Sequence, residues 1–128
     1  MNVNCFGLGI NSDDIEPFFG SDFHMPHGWS RGEGLRPARA RPGMTFALFG
    51  DGLILATVEF VGCSKRSHRW EHRPSDDGRR HDFNDGWVLD LDPNTWTRRE
   101  IRCDATGQSY RYGHLTDDGV FTQIKADN

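Results

Sequence analysis

The feature that most constrains the fold of this sequence is a pair of apolar runs separated by three turn-forming residues. The first run covers 44–49 and the second covers 53–61, with Gly50-Asp51-Gly52 between them. Two apolar runs joined by a short glycine-containing loop are typical of a β-hairpin. We predict a three-residue loop, a type I turn with a bulge, at its tip. The second run is apolar on both faces, which predicts a central strand covered on both sides.

From residue 87 onward, short apolar segments alternate with turn residues. The predicted strands are 87–91, 96–103, 108–114 and 120–125. The breaks between them are Asp92-Pro93-Asn94, 104–107 and 116–119, which carry the Asx, Pro and Gly residues that tight turns require. Together with the hairpin, these segments predict a mainly β fold, a small antiparallel barrel or curled sheet of about six strands.

The first 43 residues contain seven glycines and four prolines. This density of breakers predicts an irregular N-terminal arm, residues 1–43, packed on a β domain of residues 44–128. Within the arm we expect one short helical turn at 13–19, with Ser12 as its N-cap.

Length and composition predict one small domain. Ile, Leu, Val and Phe make up 27 of the 128 residues, which is enough for a small core. No segment approaches the ~20 consecutive apolar residues of a membrane helix, and the N-terminus lacks a secretory pattern. The three cysteines are far apart, as expected for inert, reduced thiols. We therefore expect a cytoplasmic protein with no membrane partner.

Residues 64–86 are rich in charge and contain only two large apolar side chains, Trp70 and Phe83. This composition does not form a core, and it predicts a long charged loop at 64–86. Structureless loops beyond ~12–15 residues are usually functional or disordered, so we look for function in this segment.

Charge is distributed unevenly along the chain. The net charge is -4, which argues against a generally basic DNA-coating protein. Residues 31–80, however, hold ten basic and six acidic side chains, whereas the remainder holds five and thirteen. Thirteen of the fifteen basic residues are arginine, whose planar fork of donors matches phosphate.

These observations favour a non-enzymatic module that binds a phosphate-bearing anionic ligand, a nucleotide or nucleic acid, through an arginine-rich loop. In this hypothesis a base stacks on Trp70 while arginines contact phosphates. The candidate ligand-binding residues are Arg66, Arg69, Trp70, Arg73, Arg79 and Arg80. A second cluster of arginines is expected to lie over the same surface, and it consists of Arg31, Arg36, Arg39 and Arg41. The alternative is a solvated hairpin whose arginines pair with nearby aspartates.

Histidines offer a competing chemistry in the same segment. His68, His72 and His81 are candidate zinc ligands, although no recognised zinc pattern is present. Without a metal, the same three residues suit a histidine-dependent nuclease that works by general acid–base catalysis. No nucleophile elbow, phosphate-binding loop or dinucleotide motif occurs, so no catalytic residues and no cofactor are predicted.

A third hypothesis is a small inhibitor that binds a protein partner. Small size, an irregular arm and the lack of a catalytic motif are also typical of accessory proteins of bacteriophages and mobile elements, including anti-defence proteins. Acidic residues such as Asp104, Asp117 and Asp118 would then contact a basic partner. Tyr110 and Tyr112 share one strand face, which suits a ligand-stacking wall or the seam of a homo-oligomer.

Overall fold

The computed structural model describes residues 2–24, 36–70, 81–106 and 110–124, and these form one mixed β-sheet. The strands are β1 (Cys5–Gly9), β2 (Phe23–His24), β3 (Thr45–Gly50), β4 (Leu53–Trp70), β5 (His81–Arg102), β6 (Arg111–Leu115) and β7 (Phe121–Gln123). Their order is β2-β5-β4-β3-β1-β6-β7, and β1 and β3 are the parallel pair. The predicted mainly β class is confirmed. Within the described residues the outer strands β2 and β7 do not pair with each other, so the sheet is curled and open rather than closed into a barrel.

The N-terminal arm is more regular than its composition indicates. It contributes β1, which lies in the interior of the sheet between β3 and β6. In β1 the large side chains, Phe6 and Leu8, alternate with Cys5, Gly7 and Gly9. This alternation gives one bulky face and one flat face. The glycines that suggested an irregular segment are therefore what allows neighbouring groups to pack closely over β1.

Two short 3₁₀ turns, Ser12–Asp14 and Glu16–Phe18, follow β1. The first is capped by Asn11, whose side-chain oxygen accepts a hydrogen bond from the Asp13 amide at 3.0 Å, so the predicted cap at Ser12 is one residue too late. Phe18 is buried in the core. The Arg98 guanidinium lies 4.1 Å from the centre of the Phe19 ring and 2.6 Å from the Glu16 carboxylate. These contacts fasten the arm to β5.

The β3–β4 hairpin is present, but its tip differs from the prediction. Gly50 pairs directly with Leu53, which leaves a two-residue loop. Asp51 and Gly52 both have positive φ, 54° and 74°, as a type I′ turn requires. The bulge lies further along, where Leu55 is the extra residue on β4. An Asp-Gly pair tolerates left-handed backbone at both positions, and this favours the shorter loop over the predicted three-residue one.

The predicted turn at Asp92-Pro93-Asn94 does not end a strand, because β5 continues through it as a bulge. Its local hydrogen bonds are those of a turn: the Asn94 amide donates to the Asp92 side chain at 3.1 Å. The Thr95 hydroxyl replaces a missing ladder partner by accepting from the Glu59 amide at 2.8 Å. Turn chemistry therefore interrupts the register without breaking the strand.

Core side chains lie on both faces of the sheet. The larger cluster includes Phe6, Phe46, Val58 and Phe60, packed with the 3₁₀ turns, and the smaller one includes Cys5, Ala47, Phe49, Ile54 and Phe121. All four residues from Phe46 to Phe49 are buried. Strand β3 is thus covered on both sides from Phe46 to Phe49. Strand β4, predicted to be central and covered on both sides, lies between β5 and β3 and is buried on both faces at 56–58.

Burial of Cys5 makes the stability of the fold dependent on pH. Burial, with a smaller effect of Cys103, raises the pKa of the Cys5 thiol to about 12. In the unfolded chain a thiol ionises near pH ~8.5, so above that pH the unfolded state binds fewer protons than the folded state. The free energy of unfolding should therefore be undiminished below this pH and fall as the pH rises toward 12.

We expect this loss to reach at most about 1.4 kcal/mol per pH unit for one thiol. The measurement is denaturant unfolding of wild type and Cys5→Ala at about pH 8 and about pH 10, on either side of the unfolded thiol's pKa. The variant should lose less stability between the two conditions. Equal losses in the two proteins would contradict the assignment to Cys5.

Candidate functional site

Strands β4 and β5 continue well beyond the rest of the sheet as a two-stranded ribbon. The pairing of β3 with β4 stops at Thr45 and Glu59, whereas β4 and β5 remain paired out to Trp70 and His81. The predicted loop at 64–86 is therefore wrong for 64–70 and 81–86, which are strand residues. The ladder joins backbone groups only, so a strongly charged sequence pairs without needing an apolar face. Residues 71–80 lie outside the described part.

Three of the six predicted ligand-binding residues have a described backbone position on this ribbon. Arg66 lies opposite Gly86, Arg69 opposite Asp82 and Trp70 opposite His81. The other three, Arg73, Arg79 and Arg80, lie outside the described residues. That the six side chains converge on one ligand stays a prediction.

The predicted histidine group is divided in the same way. His68 lies opposite Phe83 in the ribbon, His81 lies opposite Trp70, and His72 is outside the described residues. Across 2–24, 36–70, 81–106 and 110–124, no group of three His, Cys, Asp or Glu residues is placed to hold a metal ion. A zinc site at His68, His72 and His81 stays a prediction.

Two arginines of the second predicted cluster lie on aromatic rings at the base of the ribbon. The Arg36 guanidinium carbon is 4.9 Å from the centre of the Trp87 ring, and that of Arg39 is 5.6 Å from the centre of the Tyr112 ring. We call Arg36, Arg39, Trp87 and Tyr112 the arginine–aromatic surface. A guanidinium whose flat face covers a ring still presents the N–H donors of its edge.

Local turn chemistry holds the segment that carries these arginines. The Ala40 amide donates to the Pro37 carbonyl at 3.2 Å, which closes a first turn around Arg39. The sequence Arg41-Pro42-Gly43-Met44 forms a second turn, with Gly43 at φ 94° as a type II turn requires. The Gly43 amide then donates to the Phe60 carbonyl at 2.8 Å, tying the segment to β4.

The rings of the arginine–aromatic surface rest on the core. Tyr112 stacks on Phe6 with ring centres 6.1 Å apart and planes 22° apart. Tyr110 lies beside them, 6.3 Å from Tyr112. Because Phe6 is buried in the centre of the sheet, the ring beneath Arg39 has a fixed position before any ligand arrives.

The groups beside the surface that could act as nucleophiles are held in their neutral forms. Burial raises the pKa of the Tyr110 phenol, and Cys63 and Tyr112 add to the shift. Burial also raises the pKa of the Cys63 thiol; Arg36 lowers this pKa, and Asp90 raises it. Arg36 and Arg39 therefore carry the positive charge at this surface, and the Asp90 carboxylate is the negative group that acts on Cys63.

The two arginines also differ from the arginine that fastens the arm. Arg98 is bound to Glu16 at 2.6 Å. Among the residues that the structure describes, no carboxylate forms such an ion pair with Arg36 or Arg39. Arg36 and Arg39 instead contact aromatic rings, those of Trp87 and Tyr112.

Comparison with known proteins does not identify the chain. No protein-family model matches it, and no curated protein and no solved structure matches it. None of the described segments forms a helix that could span a lipid bilayer. Function must be inferred from the arrangement of its own side chains.

Proposed function

We propose that the protein is a non-enzymatic module that binds a phosphate-bearing anionic ligand, and that the ligand contacts the arginine–aromatic surface. The observation that supports this most strongly is the stacking of Arg36 on Trp87 and of Arg39 on Tyr112. Two guanidinium groups held on rings at one end of a long ribbon form a positive site in a chain whose net charge is -4.

The chemistry of this arrangement favours phosphate. The planar fork of an arginine binds two phosphate oxygens at once, and a ring behind it restricts its motion, so less side-chain entropy is lost on binding. Nucleobases also stack on aromatic rings and on guanidinium planes. The surface therefore provides contacts for both parts of a nucleotide.

Within this class we propose single-stranded nucleic acid rather than a mononucleotide. Lys65 lies opposite Trp87 in the register, and Arg66 and Arg69 follow it along β4. Eight strand residues from 63 to 70 extend roughly 25 Å, which is longer than one nucleotide. Arg36 and Arg39 are the arginines that lie on aromatic rings, and Trp87 pairs with Lys65 at the start of the ribbon. We therefore place the main contacts at the base of the ribbon and weaker ones toward its tip.

Three other predictions from the sequence are secondary to the proposal of nucleic-acid binding. A cytoplasmic location, a homo-oligomeric state and a protein-binding inhibitor carried by a phage or mobile element stay predictions. For the inhibitor, Asp118 already has a structural role, since its carboxylate accepts a hydrogen bond from Thr116 within a turn. The neutral thiol and phenol beside the surface support a binding role over nucleophilic catalysis.

The test is the binding of a fluorescein-labelled single-stranded oligonucleotide, followed by fluorescence anisotropy at about 0.15 M salt. We expect wild type to bind with a dissociation constant on the order of 1–100 μM, typical of electrostatic binding to nucleic acid. The double variant Arg36→Gln/Arg39→Gln should weaken binding about 10- to 100-fold, because it removes two charged phosphate contacts.

The matched control removes the same charge elsewhere. Arg99 and Arg102 are exposed on β5, and Arg102 lies opposite Leu53, near the hairpin tip and remote from the ribbon. Arg99→Gln/Arg102→Gln should bind within about twofold of wild type, since a general charge effect is small at this distance in salt. Equal losses in the two double variants, or no binding by wild type, would refute the proposed site.

A further inference from the structure

The segment that carries the two stacked arginines, residues 36–44, is anchored on either side of Arg39. We call this segment the arginine strap. Pro37 and Met44 are buried, and Ala40 packs against the larger core cluster. Arg39 itself is exposed. The strap is thus held to the core before and after Arg39, while this arginine faces solvent.

Tyr112 of β6 contacts Arg39 at two points. The Arg39 amide donates a hydrogen bond to the Tyr112 hydroxyl oxygen at 3.4 Å. The Arg39 guanidinium carbon lies 5.6 Å from the centre of the Tyr112 ring. The first contact fixes the backbone end of the arginine, and the second restricts the charged end of its side chain.

The Tyr112 hydroxyl group acts as an acceptor toward the strap. Burial raises the pKa of the Tyr112 phenol, and hydrogen bonds from the backbone of Arg39 and Ala38 act in the opposite direction. Such an opposite effect is expected where amide groups donate to a phenol oxygen. The phenol keeps its proton, and its oxygen accepts from the strap backbone.

The Tyr112 ring has a fixed position because the core supports it. Phe6 is its register partner in the β1–β6 ladder, and the two rings stack with their planes 22° apart. Phe6 is fully buried. Arg39 is therefore held by a side chain that cannot move without disturbing the centre of the sheet.

We propose that Tyr112 is a positioning residue of the arginine–aromatic surface, whose hydroxyl group fixes the strap so that the Arg39 guanidinium is ordered before a phosphate binds. This inference rests on the proposed function for its effect on affinity. A side chain that is ordered before association loses less entropy when the ligand arrives. The hydroxyl group therefore strengthens binding through Arg39, without touching the ligand.

The test is a double-mutant cycle on oligonucleotide affinity, measured by fluorescence anisotropy at about 0.15 M salt. Tyr112→Phe keeps the ring and removes the hydroxyl group, and it should weaken binding about three- to tenfold, the value of one hydrogen bond. In the Arg39→Gln background the same substitution should change affinity by less than about twofold. In the Arg36→Gln background it should weaken binding as much as in wild type. Equal weakening in every background indicates a merely structural role and would overturn the proposal.

The salt dependence of affinity separates positioning from direct contact with phosphate. Tyr112→Phe retains both arginines, so its slope of log K against log salt concentration should equal that of wild type although its affinity is lower. Arg39→Gln should make the slope shallower by about 0.7. A slope for Tyr112→Phe as shallow as that of Arg39→Gln would contradict positioning.

A measurement without ligand distinguishes failure of this inference from failure of the proposed function. NMR relaxation of the free full chain reports the motion of the Arg39 amide and of its side-chain Nε. Tyr112→Phe should increase both motions and leave the Gly43 amide, which is bound to the Phe60 carbonyl, unchanged. If wild type binds no oligonucleotide but Arg39 responds in this way, the proposed function fails and the positioning by Tyr112 stands. If Arg39 is as mobile in wild type as in Tyr112→Phe, the positioning is wrong.

Discussion

Replacing Gly7 with alanine is expected to lower the free energy of unfolding by about 3 kcal/mol or more, among the largest effects of a single added methyl group. The methyl group would overlap the carbonyl oxygen of Ala47 and lie 2.8 Å from Cε2 of Phe49. Gly7 and Ala47 are register partners in the parallel β1–β3 pair, so the overlap is between two backbones held by the same ladder. Neither strand can yield without disrupting the centre of the sheet.

Chemical denaturation of wild type and Gly7→Ala measures this loss. The matched control is Gly62→Ala on β4, where an added methyl group meets no atom within 4 Å and the backbone is not left-handed. The control should change the free energy of unfolding by about 0.5 kcal/mol or less. If Gly7→Ala were as stable as Gly62→Ala, β1 would not lie against β3 as described.

Truncating Phe6 to alanine should cost about 3–5 kcal/mol, the range for aromatic residues in a protein core. Phe6 is fully buried and lies between the core and the functional surface. Its ring centre is 4.9 Å from that of Phe60, at an interplanar angle of 86°, and 5.2 Å from that of Phe46. On the other side it supports Tyr112.

Denaturant unfolding of Phe6→Ala measures the cost, and Val61→Ala is the control because Val61 is 51% exposed. The control should change stability by less than about 0.5 kcal/mol. Where Phe6→Ala remains folded, it should also weaken oligonucleotide binding, since the ring under Arg39 loses its support. A loss of stability no greater than that of Val61→Ala would contradict the described core.

The β class and the hairpin could be predicted from sequence because they depend on local signals. Two apolar runs around Gly50-Asp51-Gly52 define β3 and the start of β4, and this signal does not depend on contacts with the rest of the chain. The turn at 116–119 was likewise predictable, and Gly119 has the positive φ, 89°, that such a turn requires.

The errors came from long-range packing. Strand β1 was not predicted, because its glycines indicated an irregular segment. The role of Gly7 becomes clear only in the structure, where Ala47 and Phe49 pack against it. Strand β5 passes through a proline because β4 pairs with it on both sides of the bulge. Neither partner is adjacent in sequence, so periodicity within a short window does not reveal the pairing.

The sequence predicted which types of residue form the candidate site better than it predicted where they lie. Arginine and aromatic residues were the expected ligand contacts, and Arg36 and Arg39 belonged to the second predicted cluster. Their stacking on Trp87 and Tyr112 joins three distant parts of the chain, which no local pattern specifies. Strand β1 had one sequence signal that was missed, the alternation of Phe6 and Leu8 with small residues.

The salt dependence of oligonucleotide affinity reports phosphate binding by Arg36 and Arg39, because phosphate contacts release counterions. For single strands the slope of log K against log salt concentration has a magnitude of about 0.7 per phosphate neutralised. Arg36→Gln/Arg39→Gln should therefore have a slope shallower than that of wild type by about 1.4, while Arg99→Gln/Arg102→Gln keeps the wild-type slope. A wild-type slope near zero, or one that Arg36→Gln/Arg39→Gln leaves unchanged, would contradict phosphate binding by these two arginines.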